Sequence, residues 1–137
     1  MKQVIRYGII GCGSMGREHI ENIKALERTV ITAIADTERA SREAALTLLD
    51  GAATQPRVFE RYQDLLESGL CDAVVIATPN FTHAEVMRHA LPTDLHLLIE
   101  KPLCTTLEDC SDLLERAQGR KAIVWVAQEY RDRKSVV

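Results

Sequence analysis

Short apolar runs alternate with longer stretches in which apolar residues return every three or four positions, and the alternation continues along the chain. The run Arg6-Tyr7-Gly8-Ile9-Ile10 reads as a strand that ends in glycine. Gly16, Ile20, Ile23 and Glu27 then fall on one helical stripe, and a second strand, Val30 to Ala35, ends at Asp36. The segment Thr37 to Leu49 carries Ala40, Ala44 and Leu48 at helical spacing, and the loop from Asp50 to Pro56 stops it. Arg57-Val58-Phe59 is a short strand, followed by a short amphipathic helix marked by Tyr62, Leu65, Leu66 and Gly69.

Ala73-Val74-Val75-Ile76-Ala77 is apolar without alternation, which suits a strand buried on both faces of a parallel sheet. A helix from Phe81 to Leu91 follows, with Ala84, Met87 and Leu91 inward, and then the strand His96-Leu97-Leu98-Ile99. Thr105-Thr106-Leu107-Glu108 has the form of a capping box, in which the Thr105 hydroxyl bonds the backbone at Glu108. It opens a helix with Leu107, Cys110, Leu114 and Ala117 facing the sheet, and Ile123-Val124-Trp125-Val126 is the last strand. Strands and helices in alternation, joined by right-handed crossovers, predict an α/β fold: a doubly wound parallel sheet of the Rossmann type in order 3-2-1-4-5-6.

Ligands of such sheets bind beyond the carboxyl ends of the strands, where the strand order reverses. The first strand runs there into Gly11-Cys12-Gly13-Ser14-Met15-Gly16, a G-x-G-x-x-G motif. Gly11 permits the tight turn, Gly13 lets a pyrophosphate approach bare backbone, and Gly16 lets the next helix pack closely. The helix N-terminus supplies unpaired N–H groups for the phosphates. Asp36, twenty positions beyond Gly16, stands where a carboxylate accepts bonds from an adenosine ribose, and it also reads as an N-cap for the following helix. The same edge collects Ala77-Thr78-Pro79-Asn80, Glu100-Lys101 and Gln128. The expected cofactor is NAD, with NADP disfavoured by the Asp36 charge and Arg39 as the opposing feature. Lys101 at a strand end can assist proton transfer; its alternative is a surface lysine paired with Glu100. His19 and His83 lie on helices and read as packed helix residues, with His83 kept as a neighbour of the site.

At 137 residues and 46% hydrophobic, the chain can bury a core of its own. Its net charge of −3 is interspersed, which gives neither a nucleic-acid footprint nor a membrane patch and leaves small molecules as the expected partners. No run of about 18 apolar residues and no secretory pattern occurs, so a cytoplasmic setting is expected. Cys12, Cys71, Cys104 and Cys110 have neither C-x-x-C nor zinc spacing, so four reduced thiols and no metal site are expected.

With these motifs the chain resembles the nucleotide-binding half of the Gfo/Idh/MocA oxidoreductases, which include glucose-fructose oxidoreductase and inositol dehydrogenases. Residues 4 to 131 carry the likeness through the glycine motif, Ala77-Thr78-Pro79-Asn80 with His83, Glu100-Lys101-Pro102 and Glu129-Tyr130-Arg131. The resemblance implies that Lys101 contacts the nicotinamide ribose and the substrate hydroxyl, that Thr78 to Asn80 line the cofactor, and that Tyr130-Arg131 border the substrate pocket. It implies a hydride transfer to or from a sugar or cyclitol, or alternatively a non-catalytic dinucleotide sensor. It further implies a second α/β domain that supplies a catalytic acid and histidine and through which the whole protein forms homo-oligomers. Residues 1–131 are accordingly read as the NAD(P)-binding domain. Residues 132–137 fit neither a helical stripe nor a strand and are expected to be a non-native tail of a truncated gene model. Their deletion is expected to leave the melting temperature unchanged; a fall of several degrees, corresponding to about 1 kcal/mol or more, would contradict that expectation.

Overall fold

The computed structural model describes residues 3–127 and contains a six-stranded parallel sheet in the order β3-β2-β1-β4-β5-β6. The strands are β1 (Ile5–Ile10), β2 (Thr29–Ala35), β3 (Arg57–Phe59), β4 (Ala73–Ile76), β5 (His96–Glu100) and β6 (Val124–Ala127). The crossovers are α1 (Ser14–Lys24), α2 (Arg39–Leu48), α3 (Tyr62–Glu67), α4 (His83–Ala90) and α5 (Leu107–Ala117). This is the doubly wound order predicted from the alternation. Gln128, Glu129, Tyr130, Arg131 and residues 132–137 lie outside the described residues.

Each face of the sheet has its own core, which is why the central strands carry apolar residues without alternation. On one face, Ile9, Ile34 and Val75 of the sheet meet Ile20 and Ile23 of α1 and Ala45 of α2. On the other, Ile10, Val74, Ile76, Leu97 and Ile99 meet Leu65, Met87 and Leu113 from α3, α4 and α5. The order reverses between β1 and β4, whose ends are knitted together by the Ala77 N–H donating to the Ile10 carbonyl at 2.8 Å.

Several local expectations are corrected. The N-cap of α5 is Thr106, one residue later than Thr105; its hydroxyl accepts from the Asp109 N–H at 3.1 Å. In this helix Leu113 is 2% exposed and Cys110 and Ala117 pack against the core from partly buried positions, while Leu107 and Leu114 face outward. The Asp109 and Asp112 carboxylates pair with Arg88 of α4, which fixes the rotation from the polar side. In α2 the inward residue is Ala45, with Leu49 beyond the helix end, and Ala40 is exposed. Arg42 sets that face by donating to the Asp36 carbonyl at 2.8 Å and to the Thr37 carbonyl at 3.2 Å. The segment from Phe81 begins as a single 3₁₀ turn, Asn80–Thr82, and α4 starts at His83.

The cysteine expectation is also corrected. Cys104 and Cys110 form a disulfide with their Cα atoms 5.8 Å apart, while Cys12 and Cys71 are free and buried. Cys104 precedes the Thr106 cap by two positions and Cys110 lies in the first part of α5, so the turn into the helix brings residues without a C-x-x-C spacing to bridging distance. Among the described residues no helix is long and apolar enough to cross a membrane, and no group of three or more His, Cys, Asp or Glu could hold a metal.

The rotation of α5 is open to a direct test. Leu113→Ala is expected to cost about 2–4 kcal/mol in denaturant unfolding, whereas Leu114→Ala should stay within about 0.5 kcal/mol. Equal losses would contradict a helix rotation that turns Leu113 inward and Leu114 out.

Candidate functional site

The site begins with the turn from β1 into α1. Gly11 has φ +96, and a Cβ there would lie 2.6 Å from the Ala77 carbonyl group, so this residue must be glycine for β1 and β4 to close together. A Cβ on Gly16 would stand 1.8 Å from the Gly11 carbonyl oxygen, which explains how closely α1 lies on the turn. Gly13 differs: nothing lies within 4 Å of a Cβ built on it. Its bareness serves no internal contact, as expected for backbone that a ligand approaches.

Gly13 is also the N-cap of α1, with no side chain bonded to the helix start and no acidic residue in the first turn. The N–H groups of that turn and the positive end of the helix dipole therefore lack a side-chain anion of their own. Arg17 reaches back to donate to the Cys12 carbonyl at 3.2 Å. The loop is held from β2 as well. The Gly11 N–H donates to the Ala35 carbonyl at 2.8 Å, and the Cys12 N–H donates to Asp36 Oδ2 at 2.7 Å.

Asp36 is not the N-cap of α2, a position occupied by Glu38 without a side-chain bond. Its Oδ1 accepts from the Glu38 N–H at 2.8 Å while Oδ2 holds the glycine loop. Each carboxylate oxygen has two acceptor sites, so both bonds leave capacity for ribose hydroxyls. Cys12 lies beneath the loop, and its thiol is pushed up to about 12, first by burial and then by the neighbouring Asp36 charge. Its burial in the core marks it as a packing thiol.

A cavity of about 640 Å³ opens over this turn. Gly11, Gly13, Ser14 and Met15 form one wall, Asp36 another, and Ala77, Thr78 and Pro79 a third. The structure therefore brings eight of the sequence-predicted residues around one space. Asn80 starts the adjoining 3₁₀ turn. Glu100 and Lys101 stand at the end of β5 on the same edge of the sheet, with a cis peptide bond between Lys101 and Pro102. Lys101 is exposed, and Glu100 contacts Nε2 of His19 through Oε1. His83 is fully buried behind the Thr78 wall. Gln128 lies outside the described residues.

Sequence reasoning missed the acidic and aromatic part of the cavity's lining. Glu38, Glu60 and Glu85 line it together with Tyr62 and Phe81, and the Phe81 side chain is 80% exposed. Helical spacing reads Phe81 as the start of the helix to Leu91 and gives it no role, and no residue pattern marks an exposed aromatic at a turn. Among the described residues no lysine or arginine lines the cavity. Arg39, the one base expected to oppose Asp36, instead binds Glu43 at 2.8 Å along α2.

Residues 5–128 match the family described as an oxidoreductase family with an NAD-binding Rossmann fold. The chain belongs to the Gfo/Idh/MocA oxidoreductase family. Among relatives of this family, an inositol 2-dehydrogenase of Pseudarthrobacter chlorophenolicus is 32% identical over 126 residues, covering 90% of this chain and 36% of that protein. A glycosyl hydrolase family 109 protein of Shewanella sp. is 32% identical over 120 residues, covering 84% of this chain and 26% of that protein. In three dimensions, myo-inositol dehydrogenase from Lactobacillus casei in complex with NAD(H) and myo-inositol superposes with a TM-score of 0.83 at 27% identity, over 98% of this chain and 41% of that one. The chain thus spans 36% of the first of these Gfo/Idh/MocA relatives and 41% of the inositol dehydrogenase structure.

Two glycines separate the roles of fold and ligand. Gly13→Ala is expected to cost less than about 1 kcal/mol of stability yet to weaken dinucleotide binding at least about tenfold, measured by thermal melting and calorimetric titration. Gly16→Ala should destabilise the chain by about 2 kcal/mol or more, because backbone must move to admit the methyl group. Unchanged binding in Gly13→Ala would place the phosphates elsewhere.

Proposed function

We propose that this chain is the NAD-holding part of an oxidoreductase that transfers a hydride between the nicotinamide and a hydroxyl-bearing carbon of a sugar or cyclitol. The observation that carries the reading is the bare start of α1 at Gly13, without a side-chain cap, lining a cavity that Asp36 also lines. In this reading the first-turn N–H groups of α1 bind the pyrophosphate, and Gly13 lets it come close. Asp36 accepts hydrogen bonds from the adenosine ribose while continuing to hold the Cys12 N–H. Thr78 and Pro79 bound the space on the β4 side, and Phe81 and Tyr62 add apolar surface to its lining. NAD, when bound, supplies the hydride acceptor or donor. Lys101, at the end of β5, is the candidate to take or return the proton of the substrate hydroxyl as the carbinol becomes a carbonyl. The inositol dehydrogenases among the relatives support a cyclitol or sugar substrate.

A second reading is favoured by the relatives named glycosyl hydrolase family 109 protein and α-N-acetylgalactosaminidase, which match this chain at 31–32% identity. Both readings use the dinucleotide site and differ in the net reaction. Analysis of the whole protein's products separates them: a ketone or aldehyde with NADH formed stoichiometrically supports the dehydrogenase, and a released aglycone with no net NADH supports the hydrolase.

Preference for NAD over NADP rests on the same wall. A 2′-phosphate placed about 4 Å from the Asp36 carboxylate meets a repulsion of about 4 kcal/mol at an effective dielectric near 20, before solvent and salt reduce it. Glu38 and Glu85 add to that unfavourable field, Glu60 is paired with Arg42 at 3.7 Å, and Arg39 is turned to Glu43. Calorimetric titration of the 137-residue chain should give NAD about tenfold to a hundredfold tighter than NADP. Asp36→Asn, which retains an acceptor for the loop, should narrow that ratio. Equal affinities in the unmodified chain would reduce Asp36 to a structural acceptor.

A further inference from the structure

The segment Glu100-Lys101-Pro102 is gripped at both ends by a histidine ring. His83, from α4, is fully buried and stands between two backbone carbonyls, with Nδ1 2.6 Å from the Pro102 oxygen and Nε2 2.9 Å from the Thr78 oxygen. His19, from α1, meets the Glu100 carboxylate through Nε2, and both side chains are mostly buried, at 17% and 14% exposure. The helices supplying these rings pack on opposite faces of the sheet, α1 in the core with Ile9 and Ile34 and α4 in the core with Ile76 and Leu97. A buried imidazole is costly unless its polar atoms find partners; both His83 nitrogens lie within hydrogen-bond distance of a carbonyl oxygen, to one of which a neutral ring donates, and His19 meets Glu100 through Nε2.

We propose that His19 and His83 are positioning residues that hold residues 100 and 102 from the two sides of the sheet and so fix where Lys101 stands relative to a bound dinucleotide. The proposal rests on the reading of Lys101 given above. Helix α1 has two tasks in this arrangement: its first turn receives the pyrophosphate, and its His19 holds the neighbour of Lys101. His83 likewise joins the Thr78 wall of the cavity to the residue following Lys101. The phosphate turn, the Thr78 wall and the lysine segment are thereby tied to the same two helices.

The test compares NADH with ADP-ribose, which lacks the nicotinamide, on the 137-residue chain by calorimetric titration. His19→Gln, His83→Gln and Lys101→Ala are each expected to weaken NADH at least about threefold while ADP-ribose changes less than about twofold, and the histidine effects should vanish in the Lys101→Ala background. Equal losses for both ligands would show that the histidines support the fold or the phosphate turn alone, and would overturn the proposal. NADH binding weakened by Lys101→Ala but not by either histidine substitution would overturn the clamp and leave the lysine reading standing. Unchanged NADH binding in Lys101→Ala would overturn both. Should His83→Gln fail to fold, as judged by circular dichroism, His19→Gln and Glu100→Gln decide the outcome in the same comparison.

Discussion

Helix α1 lies so close against the turn at Gly11 that the position of Gly16 tolerates no side-chain carbon, and the arrangement of the site follows from that approach. A methyl group at Gly16 would lie 1.8 Å from the Gly11 oxygen, so helix, turn and strand can meet only through bare backbone. Gly11 is in turn pressed against Ala77 at the end of β4, which ties the turn to the point where the strand order reverses. The position of the cavity is therefore set by backbone contacts, and side chains decide what it accepts.

Asp36 links the two. It belongs to the end of β2, yet one oxygen holds the Cys12 N–H in the glycine loop and the other holds the start of the α2 connection. A residue chosen only as a helix cap would have no bond to the loop, and one serving only a ligand would be free of both. Its place between them makes the ribose end of the cavity part of the structure that shapes the phosphate end.

The strand order and the glycine turn were legible in the sequence because each rests on local rules: apolar runs of strand length, glycines at fixed spacing, and a carboxylate at the end of β2. What escaped is set by tertiary partners. At the start of α5 the Thr106 hydroxyl accepts from the Asp109 N–H, and Arg88 takes the Asp109 and Asp112 carboxylates, a pairing between two helices that no window of sequence contains. Ala45 faces inward because Arg42 reaches the carbonyls of Asp36 and Thr37. Cys104 and Cys110 meet across a helix start, and their separation of six residues matches no spacing rule. His83 was legible as a neighbour of the site, but its bridge between Thr78 and Pro102 depends on strands that are far apart in sequence.

The carboxylates of Glu38, Glu60 and Glu85 in the cavity lining also bear on how quickly a ligand arrives, Glu60 being paired with Arg42 at 3.7 Å. A dinucleotide is itself an anion, and it meets these carboxylates on a chain of net charge −3 as it approaches the helix start that welcomes it. The attraction of the N-terminal turn acts over a short range, whereas the repulsion of the carboxylates extends for about a Debye length, near 10 Å at 0.1 M salt. Added salt shortens that reach, so encounter becomes faster as ionic strength rises. The site is one whose lining repels charge while its helix start requires it.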